Sequence, residues 1–396
     1  MKAGWQTKTI GDVCEVLNGG TPKTGTKEFW GGEHQWIAPA EMGKRSSPYV
    51  GETERTITDL GLKNSSARTL PPYSVILSSR APIGHLVINT EPMATNQGCK
   101  GLVPCDLMYY KFLFYYLSSI VDLLNELGSG ATFKELSGGK LKEVRIPFPP
   151  LPEQQRIVGI LDAAFDGIAT AKANAERNLQ NARALFESHL QSVFTQRGEE
   201  WVDTVIGECI RFIDYRGKTP QKTASGFRLI TAKNVKMGYV QDEPREFVAP
   251  NSYDGWMTRG IPKLGDVLFT TEAPLANVAQ LDTDEKVVFA QRIIIMQPDV
   301  SRLDSTFLKY LLLSQPVQQR IRAKGTGATV QGIKASLLKT IEVYFPKSVA
   351  EQRQIVGKLD ALREETQRLV SLYQRKLAAL DELKKSLLHQ AFSGAL

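Results

Sequence analysis

The chain has 396 residues with 42% hydrophobic and 23% charged positions and a net charge of +7, the composition of an ordinary soluble protein long enough for two or more cores. Its four cysteines (Cys14, Cys99, Cys105, Cys209) form no C-x-x-C pair and its four histidines have no zinc spacing, which excludes a zinc framework and reads as reduced thiols in a cytoplasmic protein. The positive excess lies mainly in the second half and suits a polyanionic partner, although solubility alone accounts for an excess this small.

The N-terminal stretch MKAGWQTKTIGDV has no apolar run and reads as no secretory leader. Asn18 to Trp36, NGGTPKTGTKEFWGGEHQW, mixes glycines with Lys23 and Lys27 and the aromatics Phe29, Trp30 and Trp36. An apolar strand is predicted within VILSSRAPIG (Val75 to Gly84), followed by the turn NQGCK at Lys100. The segment from Tyr109 to Leu124 is broken by Lys111 and Asp122. It falls short of the roughly 20 apolar residues of a membrane span and predicts a buried amphipathic helix.

After IPFPP (Ile146 to Pro150) the pattern changes from strand to helix. Pro152 can occupy a first turn, where its missing N–H is not needed. Apolar or small residues then recur at Ile157, Leu161, Ala164, Ile168, Ala171, Ala175, Ala182 and Leu185, in steps of four and three that predict a coiled-coil seam.

The chain then repeats itself. LPEQQRIVGILD (Leu151 to Asp162) returns 198 positions later as VAEQRQIVGKLD (Val349 to Asp360), with seven of twelve positions identical. Fainter echoes are Trp5 and Trp201, VILSSRAPIG and VLFTTEAPLA (Val267 to Ala276), the helices near Leu117-Ser118 and Leu313-Ser314, and GSGAT (Gly128 to Thr132) with GTGAT (Gly325 to Thr329). The second helix carries the same seam at Ile355, Leu359, Leu362, Thr366, Leu369, Tyr373, Leu380, Leu383 and Leu387.

Two globular parts and two long helices with matching seams imply an internal duplication. The helices are each other's natural partners. If they run antiparallel, the halves are related by a pseudo-twofold. A helix from Pro152 to Phe194 would be roughly 65 Å long, a rod that would hold the globular parts apart over a distance comparable to successive DNA half-sites, about 34 Å apart. The globular parts have diverged more than the helices, so each is expected to read something different.

Several motifs lead nowhere. RGKT (Arg216 to Thr219) lacks the glycine that a phosphate-binding loop needs, because Phe212 stands there. LPPY (Leu70 to Tyr73) lacks the polar residue of an amino-methyltransferase motif, and DELK (Asp381 to Lys384) lies in the solvated pattern of the second helix. The histidines are scattered, two of them on the long helices. The chain reads as a binder and not as a catalyst.

The order of globular part and helix, twice over, with IPFPPLPEQQRIVGILD opening one helix and SLLHQAFSG (Ser386 to Gly394) closing the other, resembles the specificity subunit of type I restriction-modification systems. GGTPKTGTKEFWGGEHQWIAPAEM and SSRAPIG with ATNQGCKGLVP are similar to segments of that family's target recognition domains. The second copy departs from the helix-opening motif, with Ala350 in place of Pro152.

The resemblance implies an α+β chain: target recognition domains with twisted sheets at 1–150 and 201–345, and conserved helices at 151–200 and 346–396 forming an antiparallel coiled coil. Each domain would grip half of a bipartite, asymmetric site in double-stranded DNA, and the helices would set the spacer and dock two modification subunits. Restriction subunits would join them; S-adenosylmethionine, ATP and Mg would serve those partners, with no cofactor, metal or catalytic residue in this chain.

Residue chemistry nominates Lys23, Lys27, Arg80, Lys100, Arg216, Lys218, Lys233 and Arg292 as DNA contacts, since Lys and Arg hold phosphates or read guanine. Asn96, Gln97 and Asn234 have the chemistry to read adenine. Arg80 and Lys100 also suit a structural role at their turns. Two further readings stay open: a DNA-binding scaffold in a methylation-only or other defence complex, and a protein-interaction scaffold that binds no DNA.

Overall fold

A computed structural model describes residues 4–130, 134–196, 198–215, 217, 219–290, 292–327 and 331–396. The chain divides into two units, Met1–Glu176 with Arg375–Leu396, and Arg177–Gln374. Each contains one globular part and a portion of both long helices, Leu151–Thr195 and Val349–Ser393.

In the first unit the main sheet has five strands in the order Cys14–Asn18, Cys99–Pro104, Val75–Ser79, Ile83–Asn89 and Tyr49–Val50. Only the last pair is parallel. Val75–Ser79 is central and buried at every position, which is why its sequence VILSS shows an apolar run instead of alternation. A second sheet places Trp30–Ile37 between Thr56–Ile57, antiparallel, and Met93–Thr95, parallel. Gln6–Thr9 pairs with Arg145–Phe148 where the globular part opens and closes.

The second unit repeats this plan. Ile210–Asp214, Ile293–Pro298, Val267–Thr270 and Val278–Gln280 follow the order of the first four strands, all antiparallel. Phe227–Ile230 lies antiparallel to Glu246–Val248 and parallel to Val287–Phe289. Trp201–Val205 pairs with Glu342–Pro346. The duplication expected from isolated sequence echoes therefore extends to strand order and direction.

The aromatic segment after Tyr109 forms two helices, Tyr110–Ser119 and Val121–Leu127, broken at Ile120. The corresponding helix of the second unit, Ser305–Leu313, is capped by Asp304, whose carboxylate accepts from the N–H groups of Thr306 and Phe307 at 2.9 and 3.0 Å.

Most of the repeated helix-opening motif has a packing reason. Gln154 is fully buried; its Oε1 accepts from the Tyr109 N–H (2.8 Å) and its Nε2 donates to the Leu107 and Pro149 carbonyls (2.9 Å each). Gln352 makes the same set with the Asp304 N–H and the Arg302 and Pro346 carbonyls, all at 2.8 Å. About two turns further on, Asp162 accepts from the Tyr115 hydroxyl at 2.5 Å and pairs with Lys111 at 2.7 Å, while Asp360 accepts from the Tyr310 hydroxyl. This shared role sets Tyr115 against Tyr310, one position away from the register that matches Leu117 to Leu313.

Ile157, Val158 and Leu161 enter the first core, and Leu359, flanked by Ile355 and Val356, the second. Gly159 and Gly357 differ: a methyl group at either would meet nothing within 4 Å, so nothing in the described chain requires glycine there.

Within the first unit Lys172 pairs with Asp381 at 2.7 Å and Lys384 lies 5.1 Å from the Phe165 ring centre. Numbers rise along one helix as they fall along the other, so the pair is antiparallel. Of the predicted seam, Ile157, Leu161, Ile168 and Leu359 are buried and Ile355, Leu362 and Leu369 half-buried. Ala175, Ala182 and Thr366 are buried too and Tyr373, Leu380 and Leu387 half-buried, whereas Leu185 and Leu383 leave the seam at 49% and 46% exposed. Leu190 and Phe194 instead enter the second core, and Leu388 and Ala391 the first, with Phe392 against Phe112 and Tyr116 at about 5 Å. A straight helix drifts about 20° per heptad from a 3.5-residue stripe, and here the last turns present their buried face to a globular core. Among the described residues, no helix is long and apolar enough to cross a membrane.

Candidate nucleic-acid interface

Strand register places three connections of the first unit at one end of its main sheet. Asn18 lies opposite Lys100, Cys99 opposite Ser78, and Ser79 opposite Ile83. The loop after Asn18, the turn before Cys99 and the Ala81-Pro82 turn therefore converge. Loops held on such a frame are where proteins place binding groups.

Close packing fixes this end. Gly19 and Gly20 donate to the Cys99 and Thr95 carbonyls at 3.1 and 2.8 Å. A Cβ on Gly19 would lie 1.9 Å from the Asn96 carbonyl oxygen, and one on Gly20 would lie 2.1 Å from the Ala67 nitrogen. The NGG motif is thus a place where backbones touch, not a flexible hinge. Asn96 holds Thr21 Oγ1 at 3.0 Å and accepts from the Gly98 N–H at 2.8 Å, so its amide is largely committed, whereas Gln97 is exposed.

The nominated residues fall into distinct settings. Lys23 and Lys27 are exposed on the loop after Asn18. Arg80 and Lys100 converge on Glu135, at 4.0 and 3.8 Å, and Lys100 is only 6% exposed. A cation this buried is held in place and partly neutralised by its carboxylate. Lys23, Lys27, Arg80 and Lys100 thus lie at or beside one end of the first sheet.

In the second unit Asp214 lies opposite Ile294 and Thr270 opposite Ile293, forming the same end. Both turns share their internal bonding: Ser78 Oγ donates to the Pro82 carbonyl at 2.8 Å, and Thr270 Oγ1 to the Pro274 carbonyl at 2.6 Å. The charges differ. Where the first turn carries Arg80, the second carries Glu272, which pairs with Arg292 at 3.0 Å. Arg292 has a φ of +77°, uncommon for a residue other than glycine. Arg216 and Lys218 lie outside the described residues, as do Ala131 and Thr132 of GSGAT and Ala328 and Thr329 of GTGAT.

Lys233 is exposed, on the loop after Phe227–Ile230. Its neighbour Asn234 is not available to read a base: it is fully buried, its Oδ1 accepts from the Thr231 N–H and hydroxyl (3.0 and 2.9 Å), and its Nδ2 donates to the Gln241 and Pro244 carbonyls (3.1 and 3.0 Å). It closes that loop.

Sequence reasoning passed over Arg55, whose guanidinium lies 3.7 Å from the ring centre of Trp30. Twenty-five residues separate the two, and no local pattern announces the contact.

The family model described as type I restriction modification DNA specificity domain matches residues 2–178 and 259–374. The chain belongs to this family. Among relatives of this specificity-domain protein, the type I restriction enzyme MjaIX specificity subunit of Methanocaldococcus jannaschii is 36% identical over 200 residues, 50% of this chain and 46% of that one. The EcoR124I/EcoR124II specificity subunit of Escherichia coli is 32% identical over 171 residues, 41% of each. The chain spans about half the length of these relatives or less in the matched stretches. The EcoBI specificity subunit of Escherichia coli aligns over 82% of this chain and 74% of its own length at 23% identity.

Two solved structures share the fold at 18% identity. A chain from a study of complex assembly and conformational transition in a type I R-M system has a TM-score of 0.79, covering 100% of this chain and 99% of that one. The HsdS subunit of Thermoanaerobacter tengcongensis has a TM-score of 0.67, with 100% and 98% covered.

Proposed function

We propose that this chain is the DNA-reading, non-catalytic subunit of a cytoplasmic type I restriction-modification complex. The loop end of each unit reads one half of a bipartite, asymmetric site in double-stranded DNA. The observation that carries this reading is the pair of sheet ends: one frame built twice, with Arg80, Lys100 and Glu135 at one end and Glu272 and Arg292 at the other. A duplicated scaffold with divergent charged loops suits two unlike half-sites better than a palindrome.

The long helices set the spacer and dock two modification subunits. Gly159 and Gly357 support the docking: both are exposed, both recur in the duplicated motif, and a methyl group at either would meet nothing within 4 Å among the described residues. An interior helical glycine costs about 1 kcal/mol against alanine, and close approach of another backbone is a reason to keep one. Restriction subunits complete the assembly, and S-adenosylmethionine, ATP and Mg serve those partners.

The test is single-molecule sequencing of adenine methylation in the native host, with and without this gene. Loss of one split, asymmetric motif on deletion is expected. An unchanged methylome, with the modification subunit expressed, would overturn the reading. Four residues inserted after Ala175 and after Tyr373, about one turn in each helix, should lengthen the spacer of that motif; an active complex with the old spacer would sink the ruler.

A further inference from the structure

The exposed lysines of the first unit stand beside a second, more rigid cation. Arg55 precedes the strand Thr56–Ile57, and its guanidinium carbon lies 3.7 Å from the Trp30 ring centre and 5.3 Å from that of Trp36. The two indoles meet edge to face at 5.0 Å. Each is fixed through its own N–H: Trp30 Nε1 donates to the Lys23 carbonyl at 3.2 Å, and Trp36 Nε1 to the Gly20 carbonyl at 2.9 Å. The aromatic platform is therefore tied to the loop that carries Lys23 and Lys27, beside the sheet end described above.

Arg55 is exposed. Among the described residues no carboxylate pairs with its guanidinium; Asp59 is bound to His34 at 2.7 Å, Glu54 to Lys44 at 3.5 Å and Glu41 to Arg45 at 2.5 Å. A guanidinium held over an aromatic ring keeps N–H donors available on the side away from it. Those donors match the O6 and N7 acceptors of guanine in the major groove, the commonest specific contact between protein and DNA. Stacking reduces the freedom a long side chain would otherwise lose on binding.

We propose that Arg55 reads a guanine in the half-site bound by the first unit, with Trp30 and Trp36 as positioning residues that hold its fork in place. This inference rests on the DNA-reading function proposed above. It applies to one half-site only. Strand register puts Glu246 of the second unit in the place of Arg55, and Glu246 is paired with Lys222 at 2.7 Å.

The experiment is selection from a randomised duplex library by the full chain assembled with its modification subunits, comparing the wild type with Arg55→Lys and Arg55→Gln. Lysine keeps the charge and removes the fork, so preference at one guanine position should fall roughly tenfold or more while the other half-site is unchanged. Glutamine should move that position toward adenine. An unchanged profile would overturn the proposal, and so would a loss spread evenly over all positions, which marks a phosphate contact. A wild-type complex that enriches no split motif would instead defeat the DNA-reading function itself. Should either variant melt early, the wild-type complex is tested on duplexes with 7-deazaguanine at each guanine in turn. Weakening of about tenfold at one guanine of one half-site is expected, and no weakening at any guanine would overturn the assignment.

Discussion

Gln154 and Gln352 occupy equivalent positions in the two units, and each buried amide makes the same three hydrogen bonds to its own globular part. Each joins the carbonyl just before its helix, a loop carbonyl and an N–H at the start of a neighbouring helix. The duplicated dipeptide Glu-Gln is therefore an anchor between helix and domain.

Gln154→Ala leaves one N–H and two carbonyls without that partner. The bond to the Pro149 carbonyl is fully buried and the other two half-buried; a buried group left unsatisfied costs about 1–3 kcal/mol, so the first unit should lose about 2 kcal/mol, read as a lower urea midpoint and faster hydrogen exchange at the Tyr109 amide. Gln352→Ala should do the same to the second unit, with the Asp304 amide as reporter. Wild-type midpoints in both variants would show that the anchors carry no stability.

A pH effect follows from the tyrosines beside Asp162 and Asp360. Burial, reinforced by the bond to Asp360, pushes the Tyr310 phenol up to about 12, and burial and the bond to Asp162 raise Tyr115 in the same direction. Unfolded phenols ionise near pH 10. Below that both states are protonated and the phenols leave stability unaffected; from pH 10 to about 12 the unfolded state ionises first, and stability falls. Denaturation midpoints should therefore fall gently above about pH 8.5, where the unfolded thiols of Cys14, Cys99 and Cys209 ionise before the buried ones, and more steeply from pH 10 to 11.5, with the 295 nm tyrosinate signal lagging for the buried phenols. A midpoint level to pH 11.5 would contradict this.

Thiol chemistry should single out one cysteine. Burial pushes Cys14 and Cys99 up to about 12 and Cys209 to about 11, whereas Cys105 is exposed. Thiolates are the reactive species. Iodoacetamide at pH 8 should add one group to the native chain, at Cys105, and four after unfolding. Several adducts appearing together on the native protein, by intact mass, would disprove the buried assignments.

Lys27 is exposed on the loop of the first unit. If it meets a phosphate, Lys27→Ala should weaken duplex binding equally for all sequences and lower the slope of log affinity against log salt by about 1. A changed base preference with an unchanged slope would assign it to base reading.

The duplication, the helices and most of their buried face were legible in the linear chain. Periodicity and exact repetition are local signals that survive divergence where the repeated side chains pack on their own domain: Ile157 and Leu161 are fully buried, as is Leu359. Sequence also found the NGG loop, but not why it holds two glycines, since the atoms that exclude a Cβ belong to Asn96 and Ala67. Tertiary structure alone decided the rest. It buried Asn234, paired Arg80 and Lys100 with Glu135, exposed Leu185 and Leu383, and stacked Arg55 on Trp30. Whether a polar side chain is free to bind depends on what folds against it, and those partners stand 25 residues away or more for Arg55, Arg80 and Lys100, beyond the reach of any local pattern.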